Sequence, residues 1–243
     1  MTKKKIVFFT GSGISKESGI DTFRDAQEGL WYQYDLEKVA SKSSWKYGDR
    51  ELMLSFHNER RAQLKQVSPN KAHELIKKLE DLFDVAVITQ NVDDLHERAG
   101  TNHIIHLHGQ LKKVQSTFNP KLIYDWEGDL NLGDKCERGS QLRPYVVWFG
   151  EELDEKIFKS AKKAITECDI LVVVGTSLAV YPANELVLLM NSEAKLYVVD
   201  PDDMSDQIQG LRKRPIKHYQ RVATEGMQMF FDDIVNKKLK NTL

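Results

Sequence analysis

Ile6-Val7-Phe8-Phe9-Thr10-Gly11-Ser12-Gly13-Ile14-Ser15-Lys16-Glu17-Ser18-Gly19 is the stretch whose reading decides the fold. Its apolar run reads as a buried strand, and the glycine-rich turn behind it opens a helix. Glycines let the backbone approach a ligand closely, and a helix start offers unpaired N–H groups and a positive dipole end. A pyrophosphate suits such a place. The third glycine of a G-x-G-x-x-G fingerprint is displaced to Gly19, so the turn alone is a weak sign of a nucleotide site.

Further along, short apolar runs alternate with helical patterns, as in a parallel sheet covered by helices. The predicted strands are 6–9, 85–89, 104–107, 170–174 and 196–199. A helix is predicted over 69–83, capped by Ser68, with Leu75, Ile76, Leu79, Leu82 and Phe83 on one face. A second covers 154–167, with Ile157, Ala161, Ala164 and Ile165 inward. Another starts at Pro182 and turns Leu186, Leu189 and Met190 inward, and the chain closes with a helix over 226–238. Two segments break the alternation. Residues 25–67 are rich in aromatics and helical in places, and residues 112–142 are polar and loop-like. The expectation is an α/β unit: a Rossmann-type parallel sheet with helices on both faces, built from 1–24, 68–111 and 143–243. The two insertions, 25–67 and 112–142, form a small lobe, and a cleft between lobes favours a ligand site.

With 243 residues, 41% of them apolar, the chain can bury a large core. Its 35 basic and 36 acidic residues nearly cancel, so nucleic acid and anionic membrane are not expected partners. No run approaches the roughly 20 apolar residues of a membrane span, and 6–9 is too short for a signal peptide. Two cysteines, Cys136 and Cys168, suit a reducing compartment, and a cytoplasmic location is expected.

Three more strand tips carry polar residues where ligands of open parallel sheets bind. The first is Thr89-Gln90-Asn91-Val92-Asp93-Asp94, in which Asn91 or Asp93 could equally cap the following helix. The second is His106-Leu107-His108-Gly109. A strand-tip histidine can act as a general base, because its ordinary pKa of about 6.5 lies near working pH, although lone histidines are more often structural. The pair lacks the carboxylate or cysteine needed to complete a metal site, so no metal is expected there. The third is Gly175-Thr176-Ser177, suited to phosphate or ribose. Asp200, after 196–199, could accept from ribose hydroxyls and would disfavour a 2′-phosphate, or it could simply turn the chain before Pro201.

Taken in order, Gly11-Ser12-Gly13-Ile14-Ser15, Ser18-Gly19-Ile20, Phe23-Arg24, Gln90-Asn91-Val92-Asp93, His108-Gly109, Arg143-Pro144-Tyr145-Val146-Val147-Trp148-Phe149-Gly150-Glu151 and Gly175-Thr176-Ser177-Leu178 resemble the sirtuin family of NAD-dependent protein deacylases. The resemblance spans nearly the whole chain. It implies NAD as co-substrate, with Ser12, Gly13, Phe23, Arg24, Gln90 and Ser177 lining its site. Gly11, Lys16, Gly175, Thr176, Asp200 and Ala223 would add cofactor contacts. Asn91, Val92 and Asp93 would hold the nicotinamide and its ribose, and Asn91 would share the catalytic work with His108, the general base. Acyl-lysine proteins or peptides would lie against Val147, Phe149, Gly150 and Glu151 by backbone pairing. The acyl oxygen would displace nicotinamide, and the 2′-hydroxyl would then attack the imidate to give acyl-ADP-ribose.

The chain departs from that pattern in three places. The family's two Cys-x-x-Cys zinc pairs fall at Ser116, Asn119, Cys136 and Gly139, so no zinc is expected, and Phe118, Leu122, Tyr124 and Trp126 would hold the module by packing. Asp21 replaces a proline before the loop that covers the nicotinamide. His57 and Arg60 stand where sirtuins that remove succinyl or malonyl groups carry a Tyr and an Arg. Arg60 could pair with an acyl carboxylate and His57 could donate one hydrogen bond, or Arg60 could instead pair on a solvated face. ADP-ribosyl transfer or NAD hydrolysis on the same scaffold, and a non-catalytic NAD-binding module, are the alternative functions.

Overall fold

The computed structural model describes residues 2–21, 35–208 and 215–240. The chain begins with β1 (Lys5–Thr10), a single turn α1 (Gly13–Lys16), then α2 (Leu36–Val39), α3 (Lys42–Tyr47), the long α4 (Arg50–Leu64) and α5 (Lys71–Leu79). It continues through β2 (Asp84–Thr89), α6 (Leu95–Arg98), β3 (Ile104–His106), β4 (Gly109–Ser116), β5 (Ile123–Asp125) and β6 (Leu142–Val146). The last part holds α7 (Glu155–Thr166), β7 (Ile170–Val174), α8 (Glu185–Leu188), β8 (Lys195–Val199), β9 (Ile216–Tyr219) and α9 (Ala223–Lys240).

Six of these strands form one parallel sheet in the order β3-β2-β1-β7-β8-β9. Its central strands β1, β2, β7 and β8 are apolar without alternation because both faces are buried, while β9 at the edge is mixed. Ile6 and Phe8 turn to one side, where α5 and α9 supply Leu75, Ile76, Leu79, Met227 and Phe230. Val7 and Phe9 turn to the other, against Ala161 and Ile165 of α7 and Leu186 and Val187 of α8. Each fully buried aliphatic or aromatic side chain contributes about 1.5–3 kcal/mol. The sheet is thus the Rossmann-type sheet expected from the sequence. Its order reverses between β1 and β7, and ligands of such sheets bind outside the strand ends at that point.

Several local expectations are corrected. The first helix of the core starts at Lys71, capped by Asn70 in a capping box with His73, rather than at Pro69 behind Ser68. Leu189 points outward at 37% exposure, because the helix after Pro182 is one turn long. The last helix begins at Ala223, not Gly226. A Cβ at Gly226 would stand 2.4 Å from Val199 Cγ1, so this glycine lets α9 lie close on β8 rather than marking a helix end. β9 was not expected at all.

The segment read as a polar loop instead builds a three-stranded antiparallel sheet in the order β5-β4-β6. Its small core joins Leu54 of α4 to Val114, Leu130, Cys136 and Leu142, flanked by Trp45, Tyr124 and Trp126. Phe118, expected to pack there, is 72% exposed. Packing is also supplemented by hydrogen bonds. Asn58 of α4 exchanges two bonds with the backbone of Leu130, and Arg61 reaches the carbonyls of Leu111 and Gly128.

Candidate active site

The two glycine-rich turns meet at the ends of β1 and β7. Gly11 N–H donates to Val174 O at 3.1 Å, and Gly13 N–H donates to Gly175 O at 2.8 Å. A Cβ on Gly13 would lie 2.6 Å from the Cα of Gly175, and one on Gly11 would lie 2.6 Å from Thr176 Cβ. The glycines therefore permit backbone to touch backbone, a requirement the sequence reading had assigned to the ligand alone. The helix they open is only one turn long, and Ser12 makes no side-chain cap.

The loop after β2 crosses this junction. Asn91 Nδ2 donates to Gly11 O and to Ser15 Oγ, both at 3.1 Å, and Ser15 Oγ donates to Asp93 Oδ2 at 2.9 Å. Asp93 also accepts from Leu95 N–H, so it caps α6 as well as lining the cluster. Burial pushes the Asp93 carboxyl up, while the Leu95 and Ser15 hydrogen bonds oppose the shift. Gln90 Nε2 donates to Thr176 Oγ1 at 2.9 Å, joining the loop to the turn after β7. Gly11, Ser12, Gly13, Gln90, Asn91, Asp93, Gly175 and Thr176 thus belong to one constellation.

His108 follows β3 and faces the same loop. Its Nδ1 lies 2.9 Å from Gln90 O. A carbonyl only accepts, so Nδ1 carries the proton and Nε2 presents the lone pair that a base needs. Burial lowers the His108 pKa, with the Gln90 bond opposing, which keeps the ring neutral and basic at neutral pH. Gly109 holds φ +81°, and a Cβ there would fall 2.1 Å from Tyr145 O, so only glycine lets the chain turn from His108 into β4.

Other expected residues lie at the edges of this cluster. Asp200 is buried and accepts from Asp202 N–H, forming the turn, while its carbonyl accepts from His218 Nε2. Ala223 is buried at the start of α9, where Glu17 accepts from Thr224. Lys16 is exposed on α1 and Ser177 is half-buried. Phe23 and Arg24 lie outside the described residues.

Several residues expected to meet substrate are engaged within the protein. His57 cannot donate to a ligand in this arrangement. Its Nδ1 pairs with Met53 O at 2.7 Å, and its Nε2 accepts from Trp148 Nε1–H at 3.2 Å. Burial, with Arg61, Arg143 and Arg60 nearby, pushes its pKa down to about 4, consistent with that single neutral tautomer. Glu151 is taken up by Arg143, at 2.5 and 2.9 Å, and by Trp148 N–H at 3.0 Å. It braces the loop from within. Arg143 in turn lies 3.5 Å over the Trp148 ring, a stacking that sequence reasoning missed because its members only meet in the fold.

Backbone pairing along residues 147–151 is also partly spent internally. The N–H groups of Val147, Trp148, Phe149 and Glu151 donate to His108 O, Glu151 Oε2, Ala40 O and Trp148 O. Phe149 O accepts from Lys42 N–H, so the Phe149 peptide already serves as a short ladder with residues 40–42. Gly150 keeps φ +81°, and Phe149 presents its ring to solvent at 51% exposure. Arg60 is buried on α4, 5.2 Å from the Phe56 ring.

Comparison with known proteins agrees with this geometry. Residues 11–182 match the family model described as the Sir2 family. An NAD-dependent protein deacylase of Helicobacter pylori strain J99 is 50% identical over 198 residues, covering 82% of this chain and 83% of that protein. Another, from Bacteroides thetaiotaomicron, is 45% identical over 231 residues, covering 93% and 95%. Among solved structures, a Sir2 homologue in complex with NAD superposes with a TM-score of 0.85 at 34% identity, covering 97% of this chain and 91% of the other. A Sir2 protein with a deacetylated p53 peptide and 3′-O-acetyl ADP ribose gives 0.77 at 30% identity, covering 95% and 94%. A parallel sheet with its glycine turns at the strand reversal, a neutral histidine facing them, and these likenesses along nearly the full chain place the protein in the Sir2 family, the sirtuins.

Proposed function

We propose that the protein removes acyl groups from protein lysines at the expense of NAD, releasing nicotinamide and O-acyl-ADP-ribose. The observation that carries this reading is the tautomer of His108, held by Gln90 O with Nε2 presented as a base beside the Asn91–Ser15–Asp93 cluster. Gly11, Ser12, Gly13, Gln90, Gly175, Thr176 and Ser177 would hold the phosphates and ribose of NAD, with Lys16, Asp200 and Ala223 at the periphery. Asn91, Val92 and Asp93 would face the nicotinamide end. An amide oxygen is a weak nucleophile, so holding it against the ribose carbon is the main task of the site. His108 would then take a proton from the ribose hydroxyl that attacks the acyl carbon.

The substrate peptide would lie against residues 147–151, using Gly150 and carbonyls there rather than a full ladder. Arg60 is the cation we assign to an acidic acyl group. His57 supports it by fixing Trp148. The small sheet would stand without zinc. Ser116 Oγ accepts from Phe118 and Asn119 N–H and touches Cys136 Sγ at 3.3 Å, Asn119 caps its own turn, and Gly139 has no side chain. A single thiolate cannot supply a tetrahedral zinc site.

The test incubates the protein with NAD and lysine peptides carrying acetyl, succinyl or longer acyl groups, with products read by mass spectrometry. Acyl-ADP-ribose on the succinyl peptide, lost in Arg60→Met but retained on acetyl, supports both activity and acid recognition. Nicotinamide released without any acyl peptide overturns the deacylase reading in favour of ADP-ribosyl transfer or NAD hydrolysis.

A further inference from the structure

His106 is the histidine of the strand-tip pair that catalysis does not use. It is buried at 9% exposure, at the end of β3. Its Nδ1 faces Asn91 O at 3.1 Å, and its Nε2 faces Glu97 Oε1 at 2.6 Å. Both partners are acceptors, since a carbonyl has no proton and a carboxylate has none to give. The ring therefore bridges the carbonyl of the loop and the carboxylate of α6. Glu97 also accepts from Gln110 Nε2 at 3.3 Å. Burial pushes the Glu97 carboxyl up, but the His106 hydrogen bond and charge outweigh it and hold it low. His106 is buried while the Glu97 side chain keeps 37% of its surface exposed, so the pair spans from the core to the edge of the protein.

The position of this pair gives it a task. Three successive carbonyls of the loop after β2 each take a donor from residues 106–111. Gln90 O takes His108 Nδ1, Asn91 O takes His106 Nδ1, and Val92 O takes Leu111 N–H. Of the three donors, His106 alone is anchored by a carboxylate, and that carboxylate sits on α6, into which the same loop runs. Loop, helix, Glu97, His106 and Asn91 O therefore close a ring around the Asn91–Val92 peptide. The Asn91 side chain is held separately by Gly11 O and Ser15 Oγ, so His106 fixes the backbone of a residue whose side chain is already tied to the glycine turn.

We propose that Glu97 and His106 act as a positioning pair for the NAD-cleaving step, clamping the Asn91 peptide so that Asn91 and Val92 meet the nicotinamide-ribose in the reactive geometry. The proposal rests on the deacylase reading. Neither residue touches substrate, and both act through the loop. Misplacement of a contact by about 1 Å can lower a rate by about 100-fold, so the effect belongs in kcat.

The experiment compares wild type with His106→Leu, His106→Asn and Glu97→Gln, measuring kcat and KM for an acyl-lysine peptide and for NAD, together with the thermal midpoint. Asparagine can place its Nδ2 where His106 Nδ1 stands, restoring the bond to Asn91 O without Glu97. His106→Leu is expected to lower kcat by about 10- to 100-fold with the peptide KM unchanged, because residues 147–151 are untouched. His106→Asn recovers most of that kcat, and Glu97→Gln falls between. Equal kcat in His106→Leu and His106→Asn, at any level, overturns the positioning role, as does a loss in kcat that merely tracks the thermal midpoint. Wild-type protein that makes no acyl-ADP-ribose from any acyl peptide instead overturns the deacylase reading, and the pair falls with it.

Discussion

The proposed nucleotide side and the proposed peptide side of this site are held together by different means. At the strand tips glycines bring backbone onto backbone, as where Gly13 N–H meets Gly175 O, and short side-chain bonds from Asn91 and Gln90 tie the turns to the loop after β2. Around the peptide loop side chains meet one another, Arg143 with Glu151 eight residues on and Trp148 with His57, 91 residues away. A backbone-built site tolerates change in what surrounds it but not at its glycines. A side-chain-built site stands or falls with each partner, because any one removed leaves another buried and unsatisfied.

The sharpest test of this contrast is His108→Ala. The proposed base lies among the strand tips, and its side chain braces little beyond Gln90 O. Acyl-ADP-ribose formation should fall by about 100- to 10,000-fold, the usual worth of a general base, with the thermal midpoint nearly unchanged and NAD still bound. A variant that loses NAD binding in step with activity would mean that His108 builds the site rather than working in it. Glu151→Ala should behave in the opposite way. It leaves Arg143 buried without its carboxylate, a situation that costs up to about 3–5 kcal/mol in full burial. Glu151 keeps 20% of its side chain exposed, so about 2–3 kcal/mol is expected in denaturant unfolding, with a raised KM for the peptide. A loss below about 0.5 kcal/mol would show that the ion pair is screened and the contrast overstated.

The same contrast explains what could be read in the sequence. The strands at 6–9, 85–89 and 170–174 were legible because unbroken apolar runs that end in glycine or polar turn residues have few other uses. The strands around residues 109–146 were not. The apolar positions of β4 lose their alternation at the irregularity between Gly109 and Val114, which destroys the period-two signal. Short motifs sufficed to bring Gly11, Asn91 and His108 together, since each lies at a strand end of the same sheet. His57 was misread as a donor because its partner Trp148 is invisible to local spacing. Glu151 was read as touching substrate because its claim on Arg143 needs the turn between them to fold. Gly226 was read as a boundary, although its role is set by Val199 on the strand beneath it.

Two buried neutral histidines should respond to acid. His57 on α4 and His73 on α5 are each pushed down to about 4 by burial, from an ordinary 6.5. Folding therefore excludes protons that the unfolded chain binds. The stabilising effect is complete above about pH 6.5 and declines as pH falls toward 4, at about 1.4 kcal/mol per pH unit for each histidine. His57→Gln should reduce the slope of unfolding free energy against pH in that window by one proton's worth. An unchanged slope would mean that His57 is protonated in the folded protein, which its bond from Trp148 Nε1–H forbids.

The smallest expected effect separates the small sheet from both sides of the site. Ser116 Oγ is buried, accepts two backbone N–H groups and touches Cys136 Sγ. Ser116→Ala should cost about 1 kcal/mol in unfolding, since the orphaned N–H groups are only partly buried and water can reach them. Ser116→Cys is the more telling variant. It sets a second thiol beside Cys136, yet Asn119 and Gly139 still supply no further thiolate, and four ligands are needed for a closed zinc site. Zinc should therefore leave the unfolding midpoint of wild type and Ser116→Cys unmoved. A midpoint that rises with stoichiometric zinc would show that donors elsewhere complete the site, and that the sheet is held by a metal as well as by Val114, Leu130 and Leu142.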